Sequence, residues 1–205
     1  MMLPAALQQR RRITLHPGEY QISAEPIVFT TLLGSCVAIC LYDPVARIFG
    51  MNHFLLAIPH ATASPQGLLS SEAGRYGIHA MELLINALLR RGAQRQRLQA
   101  KGFGGANVLA YSAATPPHPL QQIGDVNSRF ATTFLAHEGI PLIASSFGGR
   151  HGRVIHFDGS DFSVYQRHIS ADRDREIAVA EQQLWRRQLT TQSAATTRRT
   201  RLTIW

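Results

Sequence analysis

Residues 30–44, which read TTLLGSCVAICLYDP, decide the fold and carry the candidate chemistry. A Gly-Ser turn precedes Cys36, and the apolar run 37–42 that follows has the length and residue types of a buried β-strand. An Asp-Pro pair ends this strand, because the proline ring cannot continue a hydrogen-bonded ladder. A second apolar stretch, 48–56, follows after a short turn. The spacing therefore predicts two neighbouring antiparallel strands.

The second stretch carries His53, so the predicted pairing brings a thiol and an imidazole onto adjacent strands. A thiol beside an imidazole is the minimal requirement for nucleophilic acyl chemistry. Free cysteine is also among the most buried residue types and often serves only as a small apolar side chain. Spacing alone leaves both interpretations of Cys36 open.

Cys40 lies four residues after Cys36, on the same face of a regular strand. At about 3.3 Å per residue, the two sulfurs are too far apart for a disulfide. A CxxxC pair without a second pair of ligands is a weak zinc signal. We therefore predict that Cys40 belongs to the core and that the chain has no metal site.

Short motifs that occur in a fixed order along residues 17–167 decide between these interpretations. They are TTLLGSCVAICLYDP at 30–44, GMNHFLL at 50–56, RYG at 75–77 with AM at 80–81, GA at 92–93, AKGFGGA at 100–106, IG at 123–124 with Asn127, EGI at 138–140, and GG at 148–149 with GR at 152–153. Together they resemble the CheD family of chemoreceptor glutamine deamidases. The resemblance implies hydrolysis of specific glutamine side chains to glutamate on methyl-accepting chemotaxis proteins, without a cofactor.

The same resemblance implies the roles of the catalytic residues. Cys36 would be the nucleophile, reacting as a thiolate through a glutamyl thioester, and His53 its acid–base partner. Thr30 would orient the imidazole. Thr31 is adjacent, but the six-residue offset before Cys36 favours Thr30. His151 and His156 are alternative histidines in weaker sequence context.

The tight Gly34-Ser35 turn leaves backbone N–H groups unpaired beside the candidate nucleophile. Such groups are suited to bind an oxyanion. We therefore expect Gly34 and Ser35 to form the oxyanion and substrate-binding part of the site. The glycine-rich loop at 101–106 lacks both phosphate-loop signatures, so its glycines are expected to let two backbones approach closely and shape the floor of the site.

The remaining pattern predicts an α+β fold rather than regular βαβ alternation. Predicted strands are 20–23, 27–33, 37–42, 48–56, 96–100, 141–145, 154–157 and 162–167, the last two forming a hairpin. Predicted helices are 75–91 and 126–138. Resemblance implies a layered α/β sandwich of mixed or antiparallel sheet with these two helices on it.

The chain ends are predicted to differ from the central domain. Residues 1–14 are expected to form a basic N-terminal leader, with 1–12 mobile, and 15–169 the CheD-like domain. Residues 170–205 are expected to form a basic C-terminal extension, helical over 172–189 and disordered over 190–205. The apolar piece of the leader precedes its arginines, the reverse of a signal peptide, so a cytoplasmic location is expected.

The formal net charge of +8 leaves several classes of partner open. Because no aromatic-interleaved basic stretch or helix-turn-helix pattern occurs, nucleic acid is not predicted. No window is apolar enough for a membrane span. An acidic protein partner is the preferred interpretation, which fits the chemoreceptor cytoplasmic domains implied by the resemblance. A CheC-type phosphatase is a further partner implied by the resemblance.

Other functions share the same residues. A cysteine protease, transglutaminase or esterase, including a chemoreceptor glutamyl methylesterase, would use the same nucleophile, so only the substrate and acceptor discriminate. A non-catalytic chemotaxis binding or adaptation module would not need Cys36. Such a role should survive Cys36→Ala, whereas deamidation should not.

Overall fold

The computed structural model describes residues 5–56, 65–107 and 123–170, together with 174, 176–177, 179–184, 186–187 and 190. The strands are β1 (Arg12–Thr14), β2 (Tyr20–Ser23), β3 (Val28–Leu33), β4 (Val37–Asp43), β5 (Ile48–Phe54), β6 (Gln99–Gly104), β7 (Leu142–Phe147), β8 (Arg153–Asp158) and β9 (Val164–His168). The helices are α1 (Ala5–Gln8), α2 (Pro65–Ser70), α3 (Glu72–Arg90) and α4 (Ile123–His137), with a 3-10 turn at Arg95–Arg97. We call the helical residues described between 174 and 190 the C-terminal helix.

The strands form two sheets. The four-stranded sheet has the order β1-β3-β8-β9, and the five-stranded sheet has the order β2-β5-β4-β6-β7. Two pairs, β1 with β3 and β6 with β7, are parallel, and the others are antiparallel. Helices α3 and α4 pack against the five-stranded sheet. The predicted α+β sandwich of mixed sheet with two main helices is confirmed.

Strand β4 lies in the middle of this layered structure, which explains its unbroken apolar sequence. Every residue of β4 is buried. Because side chains alternate along a strand, Val37, Ile39 and Leu41 enter the core beneath the helices, whereas Ala38 and Cys40 enter the core between the two sheets. The prediction that Cys40 is a core residue is confirmed. A fully buried leucine or isoleucine contributes about 1.5–3 kcal/mol relative to exposure.

Helix α3 begins three residues before its predicted start because Ser71 caps it. The Ser71 hydroxyl accepts a hydrogen bond of 2.9 Å from the Gly74 N–H. A serine at this position stabilises a helix by about 1 kcal/mol. Met81, Leu84, Ile85 and Leu88, which recur at helical spacing along α3, are buried.

Between β5 and α3 the sequence pattern predicted no helix or strand, and residues 57–64 of this connection lie outside the described residues. Its later part is helical, forming α2 and the start of α3. Residues Lys101–Gly104, predicted as a loop, instead extend strand β6, whose start moves to Gln99. The local glycine content obscured a strand that is held in register by β4 on one side and β7 on the other.

Residues 7–14 pack onto the fold, whereas the sequence predicted that residues 1–12 are mobile. Strand β1 pairs in parallel with β3 along Arg12–Thr14. Leu7 is buried, and Arg10 forms an ion pair with Asp158. The three arginines at 10–12 obscured the pairing, because they resemble a solvated charged run. The domain boundaries at 15–169 and 170–205 stay predictions, and residues 191–205, expected to be disordered, lie outside the described residues.

Within the part of the chain that the structure describes, no helix is long and apolar enough to cross a membrane.

Candidate active site

The Gly34–Cys36 turn carries the chain from one sheet to the other, between β3 and β4. Its carbonyl groups are held on one side. The Cys36 carbonyl accepts a hydrogen bond of 2.7 Å from the Gly105 N–H, and the Gly34 carbonyl accepts one of 2.7 Å from the Ala106 N–H. The three backbone N–H groups of the turn, Gly34 through Cys36, face the opposite side, where a carboxylate accepts from them.

The glycine-rich segment 101–106, which comprises the end of β6 and the two residues after it, lies directly behind this turn. Gly104 has a φ of +107°, and a Cβ built there would lie 2.2 Å from the Cys36 carbonyl oxygen. Only glycine combines this backbone conformation with so close an approach. The glycine-rich segment therefore forms the floor of the site through backbone contacts, as the sequence predicted.

Asn127, on helix α4, connects the turn to the segment that follows strand β5. Its side-chain N–H₂ donates to the Ser35 carbonyl at 2.9 Å, and its side-chain oxygen accepts from the Leu56 N–H at 2.8 Å. The residue is fully buried. Sequence reasoning placed Asn127 in a family motif without assigning it a role. Its structural role is to orient the turn that carries Cys36.

Cys36 and His53 come together as predicted. Strands β4 and β5 pair antiparallel with Ala38 opposite His53, and Cys36 lies two residues before Ala38 on the same face. Both side chains line one cavity of about 540 Å³. Cys36 is 1% exposed and His53 is 2% exposed. The cavity therefore brings together a buried thiol and a buried imidazole.

The hydroxyl that contacts His53 belongs to Thr31, which corrects the expectation for Thr30. Thr31 Oγ1 lies 2.8 Å from His53 Nδ1, whereas Thr30 Oγ1 lies 2.9 Å from His156 Nδ1. In β3 alternate side chains point to opposite faces, so only one of the two threonines can face the interior between the sheets. Thr31 is buried there, and Thr30 is half-buried opposite its strand partner His156.

The contacts of Thr31 define the proton position on His53. Its hydroxyl donates its single hydrogen to the Leu15 carbonyl at 2.8 Å. Thr31 therefore acts as an acceptor towards His53, which places the imidazole proton on Nδ1. Nε2 is then unprotonated, and it has no hydrogen-bond partner among the described residues. A bare Nε2 in the cavity is suited to take a proton from a thiol.

Burial disfavours the charged form of both groups. The pKa of the Cys36 thiol is raised well above its ordinary value, first by burial and then by the charge and hydrogen bond of the Glu181 carboxylate. The pKa of His53 is lowered to about 4, mainly by burial, and repulsion from His16 acts in the same direction. Both shifts favour a neutral thiol and a neutral imidazole over an ion pair.

Glu181, from the C-terminal helix, is the residue of this cavity that sequence reasoning missed. Its Oε1 accepts from the N–H groups of Gly34 at 3.2 Å and Cys36 at 3.1 Å. Its Oε2 accepts from the Ser35 N–H at 2.8 Å and the Ser35 hydroxyl at 2.7 Å. The turn thus binds the planar oxygen pair of a glutamyl side chain.

The alternative histidines have other contacts. His156 contacts Thr30 on the outer face of β3, and His151 Nδ1 lies 2.8 Å from Asp174. Neither lines the cavity that contains Cys36. Among the described residues, no group of three or more histidine, cysteine or acidic side chains is arranged to hold a metal ion.

Comparison with known proteins identifies the family. A family model described as CheD chemotactic sensory transduction matches residues 58–168. The probable chemoreceptor glutamine deamidase CheD 1 of Geobacter sulfurreducens is 47% identical over 179 residues, which cover 87% of this chain and 88% of that protein.

The chain belongs to the CheD family. The probable chemoreceptor glutamine deamidase CheD 2 of Shewanella oneidensis is 49% identical over 181 residues, covering 88% of each chain. The CheD family resemblance stated from the sequence motifs is confirmed. Among solved structures, the Bacillus licheniformis hypothetical protein YfiH has a TM-score of 0.37 and 17% identity, with 62% of this chain and 49% of that chain covered.

Proposed function

We propose that this CheD-family chain hydrolyses glutamine side chains of chemoreceptors to glutamate, with Cys36 as the nucleophile. The observation that carries the proposal is the Gly34–Cys36 turn, whose three N–H groups hold the oxygens of a glutamyl carboxylate beside the buried thiol. A site that binds the product side chain also suits the tetrahedral intermediate, because both place negatively charged oxygen against the same donors. The names of the relatives supply the substrate class, a chemoreceptor glutamine.

The first half-reaction forms a thioester. His53 Nε2 takes the Cys36 thiol proton, and the sulfur attacks the side-chain carbonyl carbon of the substrate glutamine. The carbonyl oxygen becomes an oxyanion stabilised by N–H groups of the Gly34–Cys36 turn. As the carbon–nitrogen bond breaks, His53 returns the proton to the departing nitrogen, and ammonia leaves.

The second half-reaction releases glutamate. His53 takes a proton from water, which attacks the thioester carbonyl carbon, and the carbon–sulfur bond breaks with the proton going back to Cys36. Thr31 acts as a positioning residue, because its contact with Nδ1 leaves Nε2 free for both transfers. The net change is one water consumed and one ammonia released for each glutamine converted.

The receptor segments concerned would be the cytoplasmic domains, which makes a cytoplasmic location part of the proposal. The net charge of +8 favours an acidic partner by long-range attraction. A CheC-type phosphatase partner and the absence of nucleic-acid binding stay predictions from the sequence.

The test is the intact mass of a receptor cytoplasmic fragment incubated with wild-type, Cys36→Ala and His53→Ala proteins. A gain of about 1 Da per site with wild type, lost in both variants, is the expected result. Release of ammonia without peptide cleavage separates deamidation from proteolysis. A loss of about 14 Da per site from methylated receptor would assign methylesterase activity instead. No change in any receptor mass would contradict catalysis.

A further inference from the structure

The C-terminal helix places a glutamate side chain in the site where the proposed reaction would produce one. The Glu181 carboxylate accepts four hydrogen bonds, three from backbone N–H groups and one from the Ser35 hydroxyl. It is 8% exposed, and its charge contributes to the raised pKa of the neighbouring Cys36 thiol. A helical segment of this chain therefore occupies the position of the reacting group.

Neighbouring side chains on the same helix face seat the segment. Ile177, four residues before Glu181, is buried, and its Cγ2 would lie 2.8 Å from a Cβ built at Gly34. Leu184, three residues after Glu181, packs on the core between the sheets. Residues at these spacings share one face of a helix. The groove beside Cys36 is therefore fitted to a helix that presents a glutamyl side chain between two apolar residues.

The start of the C-terminal helix is anchored separately. Asp174 is buried, and its carboxylate accepts from the Gly152 N–H at 2.7 Å and lies 2.8 Å from His151 Nδ1. This contact connects the helix to the turn before β8 without involving the cavity. Glu181 therefore belongs to a helix that is packed against the rest of the protein at a second position.

We propose that the C-terminal helix is an autoinhibitory segment in which Glu181 is an internal product mimic, and that a substrate helix presenting glutamine displaces it from the same groove. The proposal rests on the proposed deamidase function for the identity of the displacing helix. While Glu181 is bound, the turn N–H groups are occupied and Cys36 is covered. A ligand that is tethered to the site competes at a high effective concentration, so the inhibition needs no high intrinsic affinity.

The first test measures the reactivity of Cys36 itself. Wild type, Glu181→Ala and Glu176→Ala are treated with iodoacetamide, and alkylation of the Cys36 peptide is followed by mass spectrometry. Glu176 is an exposed glutamate on the same helix and serves as the matched control. We expect Glu181→Ala to raise the alkylation rate by at least about tenfold, because the thiol becomes accessible and loses the neighbouring negative charge. Equal rates in all three proteins would overturn the proposal.

The second test converts the mimic into a substrate. Glu181→Gln places an amide in the groove, and the proposed chemistry then predicts self-deamidation, with a mass gain of about 1 Da at position 181. Glu181→Gln combined with Cys36→Ala, and Glu176→Gln alone, are expected to keep the introduced glutamine. If the Glu181→Gln variant converts receptor glutamines but keeps its own introduced glutamine, Glu181 is not in the glutamyl subsite.

These measurements separate the two proposals. The alkylation rate reports whether Glu181 covers Cys36 and needs no receptor. Receptor conversion by wild type and by Glu181→Ala reports the deamidase function, and we expect Glu181→Ala to be faster at limiting substrate. If Glu181→Ala is alkylated faster while neither the receptor nor the glutamine introduced by Glu181→Gln is converted, that result would contradict the deamidase function. It would still support Glu181 as the residue that covers the thiol.

Discussion

Thr31 and His53 form a contact of 2.8 Å that leaves the imidazole with one hydrogen-bonded nitrogen and one open nitrogen. The same Thr31 hydroxyl donates to the Leu15 carbonyl, so the two contacts together fix the tautomer. A neutral hydroxyl, held by a backbone carbonyl, therefore contacts this imidazole, where an acidic side chain contacts the histidine of a Ser-His-Asp triad. Because Thr31 contacts His53 and the adjacent Thr30 does not, the catalytic effects of replacing each threonine can be compared directly.

Replacing Thr31 with valine should lower kcat for receptor deamidation by at least about tenfold. The loss should be smaller than the loss of about 10²–10⁴-fold expected when the base itself is removed. The reason is that His53 Nδ1 loses its partner and the ring its orientation. The matched control is Thr30→Val, whose hydroxyl contacts the half-buried His156 and should leave kcat close to wild type. A larger loss in Thr30→Val than in Thr31→Val would restore the sequence-based assignment of Thr30.

Protein stability should depend on pH through His53. Its pKa is lowered from 6.5 to about 4 in the folded protein, because burial disfavours the charged form. Neutral His53 therefore makes its full contribution to the free energy of unfolding above pH 6.5. This contribution, about 3 kcal/mol, is lost as the pH falls from 6.5 through 4. Urea unfolding of wild type and His53→Gln between pH 7 and 4 measures it.

The slope of the free energy of unfolding against pH should be shallower in the His53→Gln variant. His156, whose pKa is also lowered by burial, contributes equally to both proteins and cancels in the comparison. Parallel curves for the two proteins would show that His53 titrates normally in the folded state.

Asn127 lies far from Cys36 in the sequence, but replacing it should destabilise the turn that carries Cys36. Asn127→Asp replaces the donor to the Ser35 carbonyl with an acceptor of the same shape, at a position with no exposure. We expect a loss of roughly 2 kcal/mol in the free energy of unfolding, because a buried polar group is left unpaired. Asn86→Asp, at an exposed position of α3, is the control. Equal unfolding midpoints in urea for the two variants would contradict the bridging role.

A comparison of Gly104 with Gly139 distinguishes the effect of a close atomic contact from the effect of a positive φ alone. Both have positive φ, at +107° and +66°, but a Cβ at Gly104 would lie 2.2 Å from the Cys36 carbonyl oxygen, whereas one at Gly139 has nothing within 4 Å. Gly139→Ala should therefore cost about 1 kcal/mol of unfolding free energy, and Gly104→Ala about 3 kcal/mol or more. Only Gly104→Ala should also reduce deamidation, because it displaces the turn. Equal costs in urea unfolding would show that the loop relaxes.

The sequence predicted those parts of the site that local patterns determine. Cys36 and His53 lie on two apolar runs joined by a short turn, so their antiparallel pairing followed from hydrophobic pattern and turn length. The choice between Thr30 and Thr31 depended on which face of β3 looks inward, and a one-residue difference reverses that face. Motif spacing alone does not define the face.

Glu181 could not have been found in the same way. It lies 145 residues after Cys36 in a helix rich in charged residues, where a single glutamate resembles a solvated residue. Its pairing with three N–H groups depends on where the helix docks, which is tertiary information. The local signal was only the apolar spacing of Ile177 and Leu184 around it.

Asp174 anchors the start of the C-terminal helix to the turn before β8. Asp174→Ala removes the acceptor for the Gly152 N–H and the partner of His151, both outside the cavity that contains Cys36. If the C-terminal helix is held at both Asp174 and Glu181, loosening the first contact should raise Cys36 alkylation by iodoacetamide several-fold, but less than Glu181→Ala does. Glu176→Ala controls for loss of a negative charge from the helix.

Because the Asp174 side chain does not line the cavity, replacing it tests how the docking of the C-terminal helix affects activity without changing the catalytic groups. Asp174→Ala should raise the rate of receptor deamidation at limiting substrate while leaving kcat unchanged, since the catalytic groups are intact once the groove is open. A lowered kcat would instead mean that the docked helix supports the geometry of the turn. An unchanged alkylation rate would mean that Glu181 alone holds the segment in place.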